Sequence, residues 1–219
     1  MLTNQIIRSN RKTLSISINE NAELVVRAPN RMSVQKIQDF INEKENWIKR
    51  NQSLIKARLK DTLEDQNTLL YLGTPFPVTK TDKDSKKITF NGKEFIANFE
   101  DKEKSTISLK TWYKNKFKEV AVPRLFYFAD KHNLQVNQVK IKEQRTLWGS
   151  CSSRNNINLN FLLIMAPLKV IDYVIIHELV HTIHKNHSAN FWNAVEVIMP
   201  NYKEAKHWLK ENGYKLRAL

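Results

Sequence analysis

The sequence predicts an α+β protein of 219 residues, and three observations lead to this class. Short alternating segments, typical of strands, occupy the N-terminal part of the chain. Longer stretches with apolar residues at helical spacing separate them from further strand-like segments. A strongly apolar helix then begins near Pro167 and carries three of the six histidines. The chain therefore has the mixed pattern of an α+β fold.

The N-terminal part, residues 1–104, is predicted to be rich in strands around one long helix. Three strands are expected first, at 5–8, 13–19 and 22–28. TLSISI alternates within the second strand, and ENAEL supplies the turn that follows it. Ser33 is then a good N-cap for a helix that continues to about residue 59.

A second group of strand-like segments follows this helix. Asn91-Gly92 lies between two apolar runs and predicts a hairpin, because both residues tolerate a positive φ. The polar stretch EDKEKS, residues 100–105, gives the best internal boundary. We therefore predict two parts, 1–104 and 105–219, of which the second carries the histidine-rich helix.

The C-terminal part is predicted to combine long helices with two or three strands. In order, the expected elements are a helix over about 107–131, strands at 138–144 and 157–164, a helix from Pro167 to His184, and helices after Ser188 and Asn201. Between the strands, TLWGSC is expected to end a further strand. Gly213 is predicted to end the last helix as its C′ residue.

Composition narrows the class of protein further. The single cysteine, Cys151, cannot form an internal disulfide, and the N-terminal residues lack the apolar core of a signal peptide. The longest apolar run, FLLIMAPL at 161–168, is too short to span a bilayer. These features favour a cytoplasmic protein without a membrane segment.

The net charge of +14 raises the question of a polyanionic partner. In KTWYKNKFK, residues 110–118, Lys110, Lys114 and Lys118 lie one turn apart near aromatic residues, a pattern that can hold nucleic acid. Alternatively, the lysines are spread over a solvated surface, because no dense basic block occurs. Both interpretations stay open at this point.

The strongest motif is His177-Glu178-Leu179-Val180-His181, an H-E-x-x-H pattern on the predicted buried helix. Residues four apart lie on one helical face, so the two imidazoles can bind one tetrahedral Zn²⁺. Glu178 lies about 100° around the helix from His177 and can instead take the proton of an attacking water. The motif predicts one catalytic zinc ion, with Glu178 as the general base.

A catalytic zinc needs a third protein ligand, and two histidines follow the motif. His184 shares the helical face, but seven residues rise about 10.5 Å along a helix, too far to share one metal with His177. His187 can return to the metal if the helix ends and Asn186, which tolerates the left-handed conformation, turns the chain back. We therefore predict His187 as the third ligand and His184 as a neighbour outside the ligand set.

Three stretches of this sequence resemble the YgjP-like metallopeptidases, which are related to the SprT-like and WLM zinc peptidases. They are RTLWGSCSSRNNINLN, APLKVIDYVIIHELVH and HKNHSANFW, and they cover about residues 145–192. The resemblance implies a zincin-like catalytic domain whose H-E-x-x-H helix lies beside a mixed or antiparallel sheet. It also implies a zinc-dependent peptidase with His177, His181 and His187 as ligands and Glu178 as the base.

One departure from the family pattern follows Cys151, where the glycine often found in this turn is missing. Asn155 and Asn156 are expected to provide the same backbone turn.

Further residues are candidates for handling the substrate, predicted to be a peptide or protein. The tetrahedral oxyanion needs a donor, and the candidates are Arg145, Tyr173 and Tyr202. TLWGSC is expected to form an edge strand that pairs with extended substrate, and Gly149 would allow close backbone approach. The alternative hypothesis is a nucleic-acid-associated protein, which includes a peptidase acting on DNA-bound protein.

Overall fold

The computed structural model describes residues 5–19, 22–63, 68–81, 88–97, 102–144, 146–217 and 219. Helices and mixed sheets occur throughout this part of the chain, which confirms the predicted α+β class. The chain divides into two compact units, Met1–Gln66 and Asn67–Leu219. Each unit has a hydrophobic core of its own.

The first unit consists of a three-stranded sheet and two helices. Its elements are β1 (Gln5–Ser9), β2 (Ser15–Ile18), β3 (Leu24–Pro29), α1 (Val34–Glu43) and α2 (Glu45–Leu63). The central strand β3 is parallel to β1 and antiparallel to β2. The three strands predicted in this part of the chain are therefore present, and they form one sheet. Ser33 caps α1 as predicted, since its Oγ accepts a hydrogen bond from the Lys36 backbone N–H at 3.4 Å.

The prediction of one continuous helix from Ser33 to about residue 59 is wrong, because the structure has two helices there. The break lies at Lys44, which ends α1 with φ −96° and ψ 11°. The Lys44 N–H donates to the carbonyls of Phe40 and Ile41, and α2 starts at the next residue. No glycine or proline marks this break, so local sequence signals do not reveal it.

The second unit holds the remaining elements and the histidine-rich helix. They are β4 (Thr68–Tyr71), β5 (Thr74–Lys80), β6 (Thr89–Phe90), β7 (Phe95–Ala97), α3 (Lys102–Lys131), β8 (Gln138–Lys142), β9 (Gly149–Cys151), β10 (Asn156–Asn160), a 3₁₀ helix (Phe161–Met165), α4 (Leu168–Val180), α5 (Ala189–Ile198) and α6 (Tyr202–Leu216). One sheet has the order β4-β5-β7-β6 and another the order β8-β10-β9. The predicted hairpin at Asn91-Gly92 joins the antiparallel strands β6 and β7, and Gly92 has a φ of 91°.

The division between the compact units lies before the boundary predicted near residue 104. Phe95 and Ala97 on β7 are buried in the same core as Leu109 and Tyr113 on α3. The strands that precede the polar stretch EDKEKS therefore share a core with α3, the helix that begins within that stretch at Lys102. A separate folding unit over 1–104 stays a prediction of the sequence alone.

The aromatic residues of KTWYKNKFK belong to the core of the second unit. Tyr113 and Phe117 are fully buried, and the ring of Trp112 packs edge-on against Phe95 with centroids 5.0 Å apart. Lys110 is paired with Glu143 at 2.7 Å. Tyr113 and Phe117 are therefore not available to stack on nucleic acid bases, so they do not support the nucleic-acid interpretation of this stretch.

Helix α4 is the centre of the second unit. Nine of its thirteen residues are buried, so it has the all-round apolar character of a core helix. Asp172 on α4 forms a two-point ion pair with Arg124 on α3, at 2.5 and 2.6 Å. The two partners are 48 residues apart in the chain, so no local sequence signal reveals this pair.

Candidate metal centre

The histidine cluster forms because α4 ends earlier than the sequence predicts. Val180 is the last helical residue and His181 is the C-cap, so the prediction that the helix reaches His184 is wrong. The chain then turns through residues 182–188, where the Asn186 side chain accepts a hydrogen bond from the Ser188 backbone N–H at 3.3 Å. Helix α5 begins directly after this reversal, and it returns the chain toward α4.

The chain reversal is stabilised by a different interaction of Asn186 from the predicted one. The backbone of Asn186 is not left-handed, so this part of the prediction is wrong. The side-chain carbonyl of Asn186 makes the turn instead, a common role for asparagine. Ser188 is the N-cap residue of α5, as expected, although its hydroxyl makes no capping hydrogen bond.

Three imidazole rings converge at this reversal. The Nε2 atom of His187 lies 3.0 Å from Nε2 of His177 and 3.1 Å from Nε2 of His181. Among the described residues, these three histidines are the group of potential metal ligands, and their ligand atoms lie within 4.8 Å of one another. His184, four residues after Val180 and beyond the end of the helix, is not part of the group.

The rings of Phe191 and Trp192 on α5 pack against the imidazole rings. The fully buried Phe191 ring lies 4.5 to 4.9 Å from each of the three imidazole centroids. Trp192 stacks on His187, with centroids 5.6 Å apart and planes 21° apart. His187 is itself exposed on a loop, so these aromatic contacts restrict where its ring can point.

The main chain of His184 contributes to the site although its side chain does not. Nδ1–H of His181 donates to the His184 carbonyl oxygen at 2.9 Å, which leaves the Nε2 lone pair of His181 free to face the other rings. Nδ1 of His177, in contrast, is buried and has no hydrogen-bond partner within the described part of the chain. Burial lowers the pKa of His177 to about 3, and the neighbouring His181 and His187 add to the effect. His177 is therefore neutral, which is the form that binds a metal.

Glu178 is buried beside the three histidines and packs against β9. A Cβ atom at Gly149 would lie 2.6 Å from both Cγ and Oε1 of Glu178. Only glycine can therefore occupy position 149 while the glutamate keeps this position. Burial raises the pKa of Glu178 to about 8 in the metal-free chain. A divalent cation at the histidines would favour the charged form and lower that pKa.

Strand β9 lies along α4 at the edge of its sheet. It pairs with β10 in antiparallel register, with Gly149 opposite Leu159 and Cys151 opposite Ile157, and no other described strand pairs with its second edge. The turn to β10 uses Asn155 with a φ of 57°, so an asparagine takes the conformation expected in place of glycine. Lys185 ties this turn to the histidine loop through the Asn155 side chain at 2.8 Å.

The candidates for the oxyanion donor are Tyr173, Tyr202 and Arg145. Tyr173 and Tyr202 are both buried, with the Tyr173 ring 5.9 Å from the His177 ring and 6.3 Å from the Tyr202 ring. Burial raises the pKa of Tyr173 to about 12. Arg145, the third oxyanion candidate, lies outside the described residues. Cys151 is half-buried and does not belong to the histidine group.

Two residues near the centre were not recognised from the sequence. Lys206 on α6 places its ammonium 3.9 Å from the centroid of the Trp192 ring, and its charge contributes to the lowered pKa of His177. Its spacing of four residues from Tyr202 was the available signal, because both then share one face of α6. The second residue is Trp192, whose ring stacks on the His187 imidazole.

A histidine pair on a helix end, joined by a third histidine and a buried glutamate, is the arrangement typical of metal-dependent hydrolases. The chain belongs to the YgjP-like metallopeptidase family, because the metallopeptidase domain of that family matches residues 12–212. The protein is thus a metal-dependent peptidase. This confirms the resemblance noted in the sequence.

Similar proteins also occur among solved structures, and one of them is the metallopeptidase zymogen abylysin of Pyrococcus abyssi. Its crystal structure matches with 24% identity and a TM-score of 0.37, over 41% of this chain and 91% of that chain. No curated protein sequence matches. Within the described residues, no helix is both long and apolar enough to cross a membrane.

Replacement of Gly149 by alanine is expected to lower peptidase activity by about 10- to 100-fold, because the new methyl group must displace Glu178. The measurement is kcat for a fluorogenic peptide, together with the metal content of the variant. A matched control is Ser150→Ala on the same strand, where the substitution removes only a hydroxyl that accepts a hydrogen bond from Asn158 at 3.0 Å. Full activity of Gly149→Ala would contradict the tight packing between β9 and Glu178.

Proposed function

We propose that the protein is a zinc-dependent peptidase in which His177, His181 and His187 bind one zinc ion and Glu178 acts as the general base. The observation that carries the proposal is the convergence of three Nε2 atoms, 3.0 and 3.1 Å apart, beside a buried carboxylate. A structural zinc site would need a fourth protein ligand, often a cysteine. Among the described residues, the group contains three ligands, which suits a catalytic site with one position open.

The donor set fits zinc in both geometry and chemistry. Two ligand atoms of a tetrahedral zinc with bonds of about 2.0–2.1 Å lie about 3.3 Å apart, close to the separations of the histidine Nε2 atoms. Neutral imidazoles suit zinc and other transition metals, whereas calcium and magnesium prefer oxygen ligands. The hydrogen bond from His181 to the His184 carbonyl is the kind of outer contact that orients a metal-binding histidine.

In the proposed mechanism, Glu178 acts on the reacting water rather than on the metal. It follows His177 directly, so it lies about 100° around α4 from that ligand. Its contact with Gly149 holds the carboxylate between α4 and the edge strand β9. A carboxylate in this position can take a proton from the attacking water and pass it to the leaving amine.

The free edge of β9 is the proposed binding surface for the substrate. An extended peptide can add to a sheet edge through backbone hydrogen bonds, independent of most side chains. Because Gly149 of the same strand touches Glu178, a peptide paired with β9 would have its backbone next to the general base. The proposed substrate is therefore an extended segment of a peptide or protein.

Each part of the site has a separate role in the proposed reaction. A bound zinc ion supplies Lewis acidity, which lowers the pKa of water and polarises the scissile carbonyl. The β9 edge aligns the substrate, and Glu178 moves the proton. His177 and His181 stay neutral because their surroundings disfavour a positive charge, and burial is the largest cause of the lowered pKa of each.

The proposal is tested by metal analysis and peptide cleavage on the purified chain. We expect about one zinc per chain, and cleavage of unstructured peptides at internal amide bonds, identified by mass spectrometry of the products. The same protein treated with a chelator should lose cleavage and regain it with added zinc. A metal-free preparation that cleaves peptides at the full rate would refute the proposed mechanism.

A further inference from the structure

Among the described residues, Asn160 at the end of β10 has a fully buried polar side chain outside the histidine cluster. Nδ2 of Asn160 donates to the carbonyl oxygens of Gln144 at 2.7 Å and Leu147 at 3.0 Å. Its Oδ1 accepts from the backbone N–H of Leu162 at 3.2 Å, and its own backbone N–H donates to the Trp148 carbonyl at 2.9 Å. This one residue therefore binds the main chain at both ends of the segment 144–148.

The segment 144–148 leads directly into the proposed substrate strand. β9 has only three residues, and a strand this short makes too few hydrogen bonds to fix its own position. The bond from the Asn160 N–H to the Trp148 carbonyl extends the pairing of β9 with β10 by one residue beyond Gly149. Beyond this backbone bond, the Asn160 side chain holds the carbonyls of Gln144 and Leu147, just before the strand begins.

The C-terminal helix holds the same segment from the outside. The guanidinium of Arg217 lies 4.0 Å from the centroid of the Trp148 ring and donates to the Thr146 carbonyl at 3.2 Å. Gly213 makes room for that indole, since a Cβ atom there would lie 3.0 Å from it. This contact also explains why Gly213 is a buried residue inside α6, so the prediction that it ends the last helix is wrong.

The position of β9 affects the reaction centre directly, because Gly149 is in contact with Glu178. A shift of residues 146–148 would move both the free edge of β9 and the space that the Glu178 carboxylate occupies. The histidines, in contrast, are held by α4, α5 and the loop between them. Loss of the Asn160 contacts should therefore disturb substrate alignment more than metal binding.

We infer that Asn160 is a positioning residue of the peptidase, which aligns the substrate-pairing edge of β9 with Glu178 and the metal centre. This inference rests on the proposed function. Asn160 touches neither substrate nor metal and acts only through the main chain of 144–148. Aspartate cannot replace it, because a carboxylate lacks both N–H donors and would bury a charge against two carbonyl oxygens.

The test compares Asn160→Ala with Asn158→Ala, two asparagines on the same strand. Asn158 is the matched control because its amide binds the Ser150 hydroxyl at 3.0 Å and not the main chain of 144–148. The first readout is amide hydrogen exchange of residues 146–151 in the metal-free chain. We expect faster exchange in Asn160→Ala and wild-type exchange in Asn158→Ala, and wild-type exchange in a folded Asn160→Ala would overturn the inference.

The second readout separates substrate alignment from metal binding. Zinc-loaded variants are titrated with a peptidyl hydroxamate, which needs both the metal and the β9 edge, and with acetohydroxamic acid, which needs the metal only. For Asn160→Ala we expect about 10- to 100-fold weaker binding of the peptidyl hydroxamate, with acetohydroxamic acid bound as in the wild type. Equal weakening of both ligands would indicate a merely structural role and overturn the inference.

Arg217→Ala keeps the inference testable if Asn160→Ala fails to fold, since the Arg217 side chain lies at the surface. It should raise exchange at 146–148 and weaken only the peptidyl hydroxamate, and no change in either would overturn the inference. A wild-type chain that binds neither hydroxamate refutes the proposed function, and the positioning role with it. A wild-type chain that binds both, with variants that behave identically, refutes the positioning role alone.

Discussion

Glu178→Gln is expected to lower kcat by about 10²- to 10⁴-fold, the range that a general acid–base group contributes, while the metal stays bound. Glutamine has nearly the same shape, so it can keep the contact with Gly149 and leave the three histidines in place. It cannot accept a proton from water at neutral pH. The measurement is kcat and KM on a peptide substrate, with zinc content determined on the same preparation.

The matched control for this variant is Glu196→Gln. Glu196 is an exposed glutamate on α5 that pairs with Lys203 at 3.2 Å, and α5 also carries the aromatic residues that support the histidines. We expect wild-type kcat and zinc content for this control. If Glu178→Gln hydrolyses peptides at the wild-type rate, Glu178 is not the base, and a different residue must accept the proton.

Much of the site could be predicted because its signals are local. The spacing of His177 and His181 follows from the helical repeat, and the helix geometry alone argued against His184. The structure places the three predicted histidines around one point, whereas their role as ligands stays a proposal. The hairpin at Asn91-Gly92 and the cap at Ser33 were also predicted correctly, since each depends on a few neighbouring residues.

The features that could not be predicted depend on contacts between distant parts of the chain. Glycine near the end of a helical pattern often ends the helix. Gly213 nevertheless lies inside α6, where the absence of a side chain leaves space for the Trp148 indole. Asp172 is paired with Arg124 on another helix, and Asn160 binds carbonyl groups 13 and 16 residues away. No pattern within one element contains these partners, so only the assembled fold shows them.

The end of α4 illustrates how a local signal can give the right result by a different route. The sequence required the chain to turn back before His187, and it assigned the turn to a left-handed Asn186. In the structure the helix ends at Val180, four residues before the expected end, and Asn186 acts through its side chain. The early end also frees the His184 carbonyl to accept the hydrogen bond from His181.

The choice between His187 and His184 as the third ligand gives the second large expected effect. His187→Ala is expected to weaken zinc binding by more than about 10- to 100-fold, which is the range for loss of an outer hydrogen-bonded group. Peptidase activity should fall with zinc occupancy. His184→Ala is the matched control, because alanine keeps the backbone carbonyl that binds His181 and removes only a side chain outside the histidine group.

Zinc affinity is measured by competition with a chromophoric chelator, and thermal unfolding gives an independent readout. A ligand that binds only the folded chain stabilises it by about 2.7 kcal/mol when its free concentration is 100 times Kd. Added zinc should therefore raise the Tm of the wild type and of His184→Ala, but not that of His187→Ala at the same zinc concentration. The opposite pattern would be loss of zinc binding in His184→Ala and normal zinc binding in His187→Ala. It would show that a different set of histidines binds the metal. The turn at Asn186 would then serve only the packing of α5 against α4.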